Sequence, residues 1–490
     1  MVFSSFTYLL LFLPVTFLAI HLASHFSRSC ALITLVLCSL FFYASWEISY
    51  LPIILFSIAC NYIFGRLIEA ASKWRKLFFS IAVTINISLL FYYKYTDFFI
   101  HNINFIFSFS FAMTNITLPL AISFFTFQQI AWLFDKYNKI NYSCTFTEYG
   151  CAVSYFPHLI AGPLVQYTEI IPQLTPHFGR EQRYSNIAKG LFLIAFGLFK
   201  KIMIADTLAQ FVSAGYSDLS SLHLIFSWCI TLGYCMQIYY DFSGYCDIAM
   251  GSSYLFNIRL PENFQLPYAS KNISYFWRRW HITLGNFFTK CLYIPLGGSR
   301  TGLLKTCRNL LFVMLISGLW HGAGYGFIIW GGLHGLALVC HRLWRECKIA
   351  IPIFWAWSIT FLFITLAWVF FRAESLPDAL VMFSALAGQN GIILPEWSSF
   401  LSNVFPSLTF ENLWTHGLQG GNQRVFFICL LFATLWSIFG KEPLTIWEKF
   451  APSLNKRQIV MSALLTSAIF FASFAKMLMV PYTEFIYFNF

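Results

Sequence analysis

The chain has 490 residues, of which 58% are hydrophobic, 20% aromatic and 10% charged. Soluble domains carry about 25% charged residues, so this composition excludes a soluble globular protein, and its 58 Phe, 25 Tyr and 16 Trp exclude a disordered or fibrous chain. The 31 Lys and Arg against 20 Asp and Glu give a net charge of +11, which in a lipid-embedded chain belongs to loops facing the anionic headgroups of a phospholipid bilayer rather than to a nucleic-acid surface.

The first apolar stretch, 5–24, has no Lys or Arg before Arg28 and so lacks the charged leader of a secretory signal; it is expected to stay as a span. Further stretches long enough to cross a membrane fall near 30–46, 51–68, 77–93, 115–134, 186–205, 222–240, 309–330, 351–371, 424–439 and 458–480. Segments 97–113, 150–164, 242–256, 283–296 and 327–341 are shorter or broken by Gly and Pro and read as re-entrant or interfacial. The expectation is an all-α polytopic membrane protein with ten to twelve full spans, in one domain covering 1–490.

Cations set the orientation. Arg28, then Arg66, Lys73, Arg75 and Lys76, follow the first and third spans, placing the N-terminus outside. Arg342, Arg345 and Lys348 precede 351–371, so the acidic stretch 372–423 becomes an outer insertion, and Lys441, Lys449, Lys456 and Arg457 return the chain to the cytoplasm before a last span exits. Both termini are therefore expected outside, which requires an even number of crossings. The thirteen Cys include no C-x-x-C pair and lie mostly in apolar runs, where thiols act as small hydrophobes, so neither a disulfide framework nor a metal site is expected.

Chemistry concentrates in three places. Residues 263–310 hold Lys271, Arg278, Arg279, Lys290, Arg300, Lys305 and Arg308 with no Asp or Glu, interleaved with aromatics. Such a run serves either the positive-inside rule or a phosphate-rich ligand arriving from the cytoplasm. His321, in Leu319-Trp320-His321-Gly322, is an ionisable group read as lying near the membrane centre, and a neutral imidazole there can take a proton from a hydroxyl. The glycines 318, 322 and 326 around it, four residues apart, let another backbone come close. His281 follows Trp277-Arg278-Arg279-Trp280 and is a second candidate. His334, thirteen positions from His321 on a continuous helix, is read as structural. Asp241 and Asp247, in apolar surroundings, call for a cationic partner, with an Arg of the basic run available.

Four motifs then carry a resemblance: Tyr240-Asp241-Phe242-Ser243-Gly244-Tyr245, Phe276-Trp277-Arg278-Arg279-Trp280-His281, Tyr293-Ile294-Pro295-Leu296-Gly297-Gly298 and Leu319-Trp320-His321-Gly322-Ala323. In this order they resemble the membrane-bound O-acyltransferase (MBOAT) family. Phe124-Phe125-Thr126-Phe127-Gln128 and Phe156-Pro157-His158-Leu159-Ile160-Ala161-Gly162-Pro163 are similar to its bacterial AlgI/PatA-like branch, where Gln often stands at the position of His158, which is therefore not carried over as catalytic. The resemblance implies a helix bundle around a funnel and acyl transfer to a hydroxyl, with His321 as catalytic histidine and His281 as its companion. It also implies an inner-membrane location, an acetyl group drawn from cytoplasmic acetyl-CoA, no metal, and a periplasmic SGNH-type or AlgJ/AlgX-like partner that esterifies a polysaccharide. Arg278, Arg279 and Lys290 are the candidates for donor phosphates. The aromatic tail 484–490 resembles a motif of this branch, making Tyr487 a candidate acyl acceptor where position alone suggests an interfacial anchor. The alternatives are a D-alanyl-type transferase fed by a carrier-protein thioester, a polysaccharide exporter or flippase, and a passive scaffold.

Overall fold

The computed structural model describes residues 1–140, 143–175, 178–179, 183–300, 302–395, 409–411, 423–479 and 485–489. Apart from one parallel pair of three-residue strands, Ile393–Pro395 and Thr409–Glu411, its regular structure is helical. These strands and the helix Leu376–Leu386 belong to the 372–423 segment, much of which lies outside the described residues.

Seven of the described helices are long and apolar enough to cross a membrane, and the bent pair Arg424–Phe439 and Pro443–Ser453 makes an eighth. That is fewer than the ten to twelve expected, for a physical reason. Several apolar stretches become helices wrapped in protein instead of lipid, and such helices tolerate polar groups and shorter lengths. Ile122–Tyr137, of 16 residues, is mostly buried, and the 32-residue helix Leu224–Leu255 is buried along most of its length and carries Asp241 and Asp247; Arg28–Ala44, of 17 residues, keeps an exposed apolar face of Ile33, Leu37 and Phe41 and differs from a span only in length. Segment 242–256 is thus part of one continuous helix, and 327–341 lies within the candidate span Tyr325–Cys347; neither is re-entrant. Segments 150–164 and 283–296 are broken as expected, into Phe146–Ser154 with Phe156–Leu159 and into Ile282–Phe288 with Thr289–Tyr293.

The central Leu224–Leu255 helix is approached most closely by Tyr184–Leu198. A Cβ on Gly197 would lie 2.7 Å from the Gly244 carbonyl oxygen, and one on Gly190 2.6 Å from that of Gly251, so both helices need a residue without a side chain at two points two turns apart. The chain continues through a π-helical turn, Phe199–Ala205, which brings two lysines against the central helix. Lys200 Nζ is 2.8 Å from Asp247 and 2.6 Å from Glu442; Lys201 Nζ is 2.8 Å from both Asp206 and Asp241. The aspartates do find cationic partners, but these are lysines of the neighbouring helix and not arginines of the basic run.

Helices Leu303–His321 and Tyr325–Cys347 form a hairpin whose arms touch backbone to backbone. A Cβ on Gly318 would lie 2.3 Å from Phe327 O and one on Gly331 2.5 Å from Met314 O. The glycine spacing thus has the purpose read from it. The hairpin turns at Gly322–Gly324, and Ile353–Arg372 packs beside it.

Candidate active site

His321 is the last residue of its 19-residue helix, at the turn of the hairpin rather than in the middle of a span. The last carbonyls of a helix have no partner within it. Here they are met from the helix Arg75–Phe107: Tyr95 Oη donates to Leu319 O at 2.6 Å, and Lys94 Nζ to Trp320 O at 2.5 Å and His321 O at 3.2 Å. A cation at this end also opposes the partial negative charge of the helix terminus. The imidazole is buried among Trp320, Trp330 and Phe371, with ring centroids 4.8, 5.1 and 5.2 Å away, and its Nδ1 has no hydrogen-bond partner among the described residues.

His281 is held differently. It caps Ile282–Phe288 with a backbone φ of 44°, a conformation costly for a residue with a Cβ. Its Nδ1 lies 3.2 Å from Asn263 Oδ1, which also accepts the Thr283 N–H at 3.2 Å and the Thr283 hydroxyl at 2.9 Å. Because an amide N–H can only donate, that Asn263 atom is the oxygen; Nδ1 of His281 must then carry the proton, and Nε2 presents a lone pair. Nε2 is buried and has no hydrogen-bond partner among the described residues.

Tyr487 completes the group. Its ring is buried, 5.8 Å from the His321 ring and 6.5 Å from that of His281, and it packs on Phe242 at 4.3 Å. Histidines separated by 40 residues of sequence and a tyrosine from the far end of the chain therefore converge on one spot.

Two cavities flank this group. One, of about 510 Å³, is lined by His281 together with Arg278, His341, Arg342 and Arg345, with no Asp or Glu among its lining residues. The other, of about 310 Å³, lies over the hairpin turn at Gly322 and Ala323 and is lined by Lys94, Asp97, Thr96 and Thr114.

Of the three cations singled out for donor phosphates, only Arg278 lines the first cavity. The Arg279 guanidinium lies 4.6 Å over the Tyr275 ring, and Lys290 is engaged by Asp135 at 2.5 Å and Gln166 at 2.6 Å. Arg342 and Arg345, read from sequence only as topology markers, and Lys94, a single cation within an aromatic stretch, were missed as site residues. Asn263 gave no signal, because an Asn orienting a histidine is visible only once the chain folds back. The continuous helix assumed for His334 is broken by the turn; its Nδ1 accepts the Trp277 indole N–H at 3.3 Å. His158 Nε2 is bonded to Ala152 O at 3.0 Å, away from the group.

A family model described as the membrane-bound O-acyltransferase family matches residues 142–376. The chain is 42% identical to a peptidoglycan O-acetyltransferase of Helicobacter pylori, over 84% of this chain and 85% of that protein. It is 36% identical to a probable alginate O-acetylase AlgI of Pseudomonas aeruginosa, over 93% and 86% of the two. A teichoic acid D-alanyltransferase of Bacillus subtilis is 27% identical across 40% of this chain and 51% of its own length. The protein belongs to the membrane-bound O-acyltransferase family. It is a multi-pass membrane O-acyltransferase, which sets aside the exporter and scaffold readings.

Proposed function

We propose that the protein moves an acetyl group from acetyl-CoA on the cytoplasmic side of a bacterial inner membrane toward a polysaccharide on the other side. The observation that carries this reading is the convergence of His281, His321 and Tyr487 beside a cation-lined cavity that His281 itself lines, with a polar basin at the hairpin turn next to His321. Arg278 and Arg345 suit the phosphates of a CoA thioester, because guanidinium groups pair with phosphate oxygens in a planar fork; Arg342, in the same lining, is paired with Glu346 at 3.0 Å. The donor carbonyl would lie near His281, whose orientation by Asn263 leaves Nε2 facing the reacting groups.

The transfer runs in two balanced steps. The hydroxyl of Tyr487 attacks the thioester carbonyl, the imidazole of His321 takes its proton, and the CoA thiolate leaves and recovers that proton, giving a tyrosyl ester. An acceptor hydroxyl then attacks the ester from the basin, and Tyr487 regains a proton as it leaves. The names of the relatives, one acting on peptidoglycan and others on alginate, support a cell-envelope or extracellular polysaccharide acceptor, reached through a periplasmic SGNH-type or AlgJ/AlgX-like partner.

The test is incubation of purified protein with radiolabelled acetyl-CoA, comparing wild type with His321→Ala and Tyr487→Phe. Stable label on the wild type that is lost from both variants supports a His321-activated tyrosyl ester. Label lost only from His321→Ala keeps the transferase and removes Tyr487 as carrier. No label and no CoA release from the wild type, even with partner proteins present, overturns acetyl-CoA as donor and favours a carrier-protein thioester.

A further inference from the structure

The segment Phe485–Asn489 is seated on one face of the Leu224–Leu255 helix by successive contacts. Phe485 stacks on Tyr245 at 4.4 Å, Tyr487 packs on Phe242 at 4.3 Å, and between them the Ile486 N–H donates to Asp241 Oδ2 at 2.9 Å. Residues 241, 242 and 245 lie on neighbouring positions of one helix face.

The two ring contacts are apolar and tolerate sliding. The amide bond does not, because it joins a backbone donor to a buried carboxylate at a fixed distance, and bonds to ionised acceptors are stronger than neutral ones. Asp241 is 2% exposed, and its other oxygen is 2.8 Å from Lys201, which Asp206 also contacts at 2.8 Å. Because Lys201 is shared between two carboxylates, Asp241 holds only part of one ammonium's charge. A second donor at Asp241, the Ile486 amide, lowers the cost of holding its charge. The carboxylate is therefore built to receive this amide.

We propose that Asp241 is a positioning residue: it latches the 485–489 segment through the Ile486 amide and so fixes Tyr487 beside His321 and His281. The activity arm of the test rests on the proposed acetyl transfer; the latch itself does not.

The deciding variant is Ile486→Pro. It removes the N–H while leaving Lys201, Asp206 and Asp241 in place, and proline is well tolerated at the first position of a short helix. Ile486→Ala keeps the N–H and shortens only the side chain. Both full-length proteins are compared in detergent for acetyl transfer from acetyl-CoA and for amide hydrogen exchange. The latch predicts that Ile486→Pro lowers kcat about tenfold to a hundredfold, the factor for one bond to a charged acceptor, with KM for acetyl-CoA unchanged. It also predicts faster exchange at Tyr487 and Phe488 with no change in the Leu224–Leu255 helix, and Ile486→Ala within about threefold of wild type. Adding Ile486→Pro to Asp241→Ala, which removes the acceptor, lowers kcat no further than Asp241→Ala alone, because the amide then has no carboxylate to meet. Wild-type rate and exchange in Ile486→Pro overturn the latch, as does an equal loss in Ile486→Ala. Were His321→Ala to transfer acetyl normally, the proposed function would fail, and the exchange data would still decide the latch.

Discussion

The basic groups of this protein are neutralised in two contrasting ways in two regions. Beside the central helix, Lys200 and Lys201 are each clamped by two carboxylates and are almost entirely buried. At the open end of the hairpin, Arg278 and Arg345 line a cavity of about 510 Å³ among whose lining residues there is no acid. The first arrangement closes the charge balance within the fold and holds helices in register. The second leaves Arg278 and Arg345 for something outside the chain to balance, while Arg342 in the same lining is paired with Glu346 at 3.0 Å. Lys94 stands between the two: it lines a cavity, yet backbone carbonyls at the end of the His321 helix occupy its ammonium. A cation is thus structural or ligand-directed according to whether the fold brings it an acceptor.

The largest effect that would break this contrast is at the clamped lysines. Lys200→Met leaves Asp247 and Glu442 facing each other in the interior without a counter-ion, at a cost of about 3–5 kcal/mol. The expected outcome is a strongly lowered Tm, or loss of the monodisperse detergent-solubilised protein. An unchanged melting curve would mean that the clamp is dispensable and the contrast false.

Next is Lys94. Lys94→Met removes the donor to the Trp320 and His321 carbonyls, so kcat is expected to fall about tenfold to a hundredfold while KM for the donor stays put. Lys94→Arg retains a cation of similar reach and should recover part of the rate. Equal loss in both variants would indicate packing in place of capping.

How much of this was legible in the sequence follows from the same contrast. His281, His321 and the glycines around the hairpin could be read directly, because a histidine or a four-residue glycine repeat in an apolar stretch is costly and therefore informative. The partners of Asp241 and Asp247 could not, since a Lys-Lys pair 40 residues upstream looks like any cytoplasmic charge until the π-helical turn places it. The span count is a related case: composition reports how apolar a stretch is, not whether lipid or protein surrounds it. Leu224–Leu255 and Ile122–Tyr137 are surrounded largely by protein. The tail was readable as an aromatic motif, but its seat on Asp241 needed the fold.

A smaller effect sharpens the ligand-directed side. Arg278→Ala and Arg345→Ala remove exposed cavity cations, so each is expected to raise KM for acetyl-CoA about threefold to tenfold, near 1 kcal/mol, with Tm and kcat unchanged. Raising the salt concentration should weaken donor binding in the wild type and narrow its difference from the variants, because exposed charges are screened. A salt-independent KM would show that the cavity does not select its ligand by charge.

The smallest expected effect is also the one that best separates sequence from structure. Arg279 and Lys290 belong to the same unopposed basic run as Arg278, and on sequence the three are equivalent. In the fold Arg279 covers the Tyr275 ring and Lys290 is bound by Asp135 and Gln166, so neither lines the donor cavity. A half-exposed cation over a tyrosine contributes only about 0.5–1 kcal/mol. Arg279→Gln should therefore leave KM for the donor within about twofold of wild type and lower Tm by no more than a few degrees. If instead Arg279→Gln raised KM as much as Arg278→Ala, the run would act as one diffuse field and the cavity lining would not identify which cations meet the donor. Titrating donor binding against salt for the two variants side by side distinguishes these outcomes: a local contact changes the salt slope only when Arg278 is removed, whereas a diffuse field changes it equally for both.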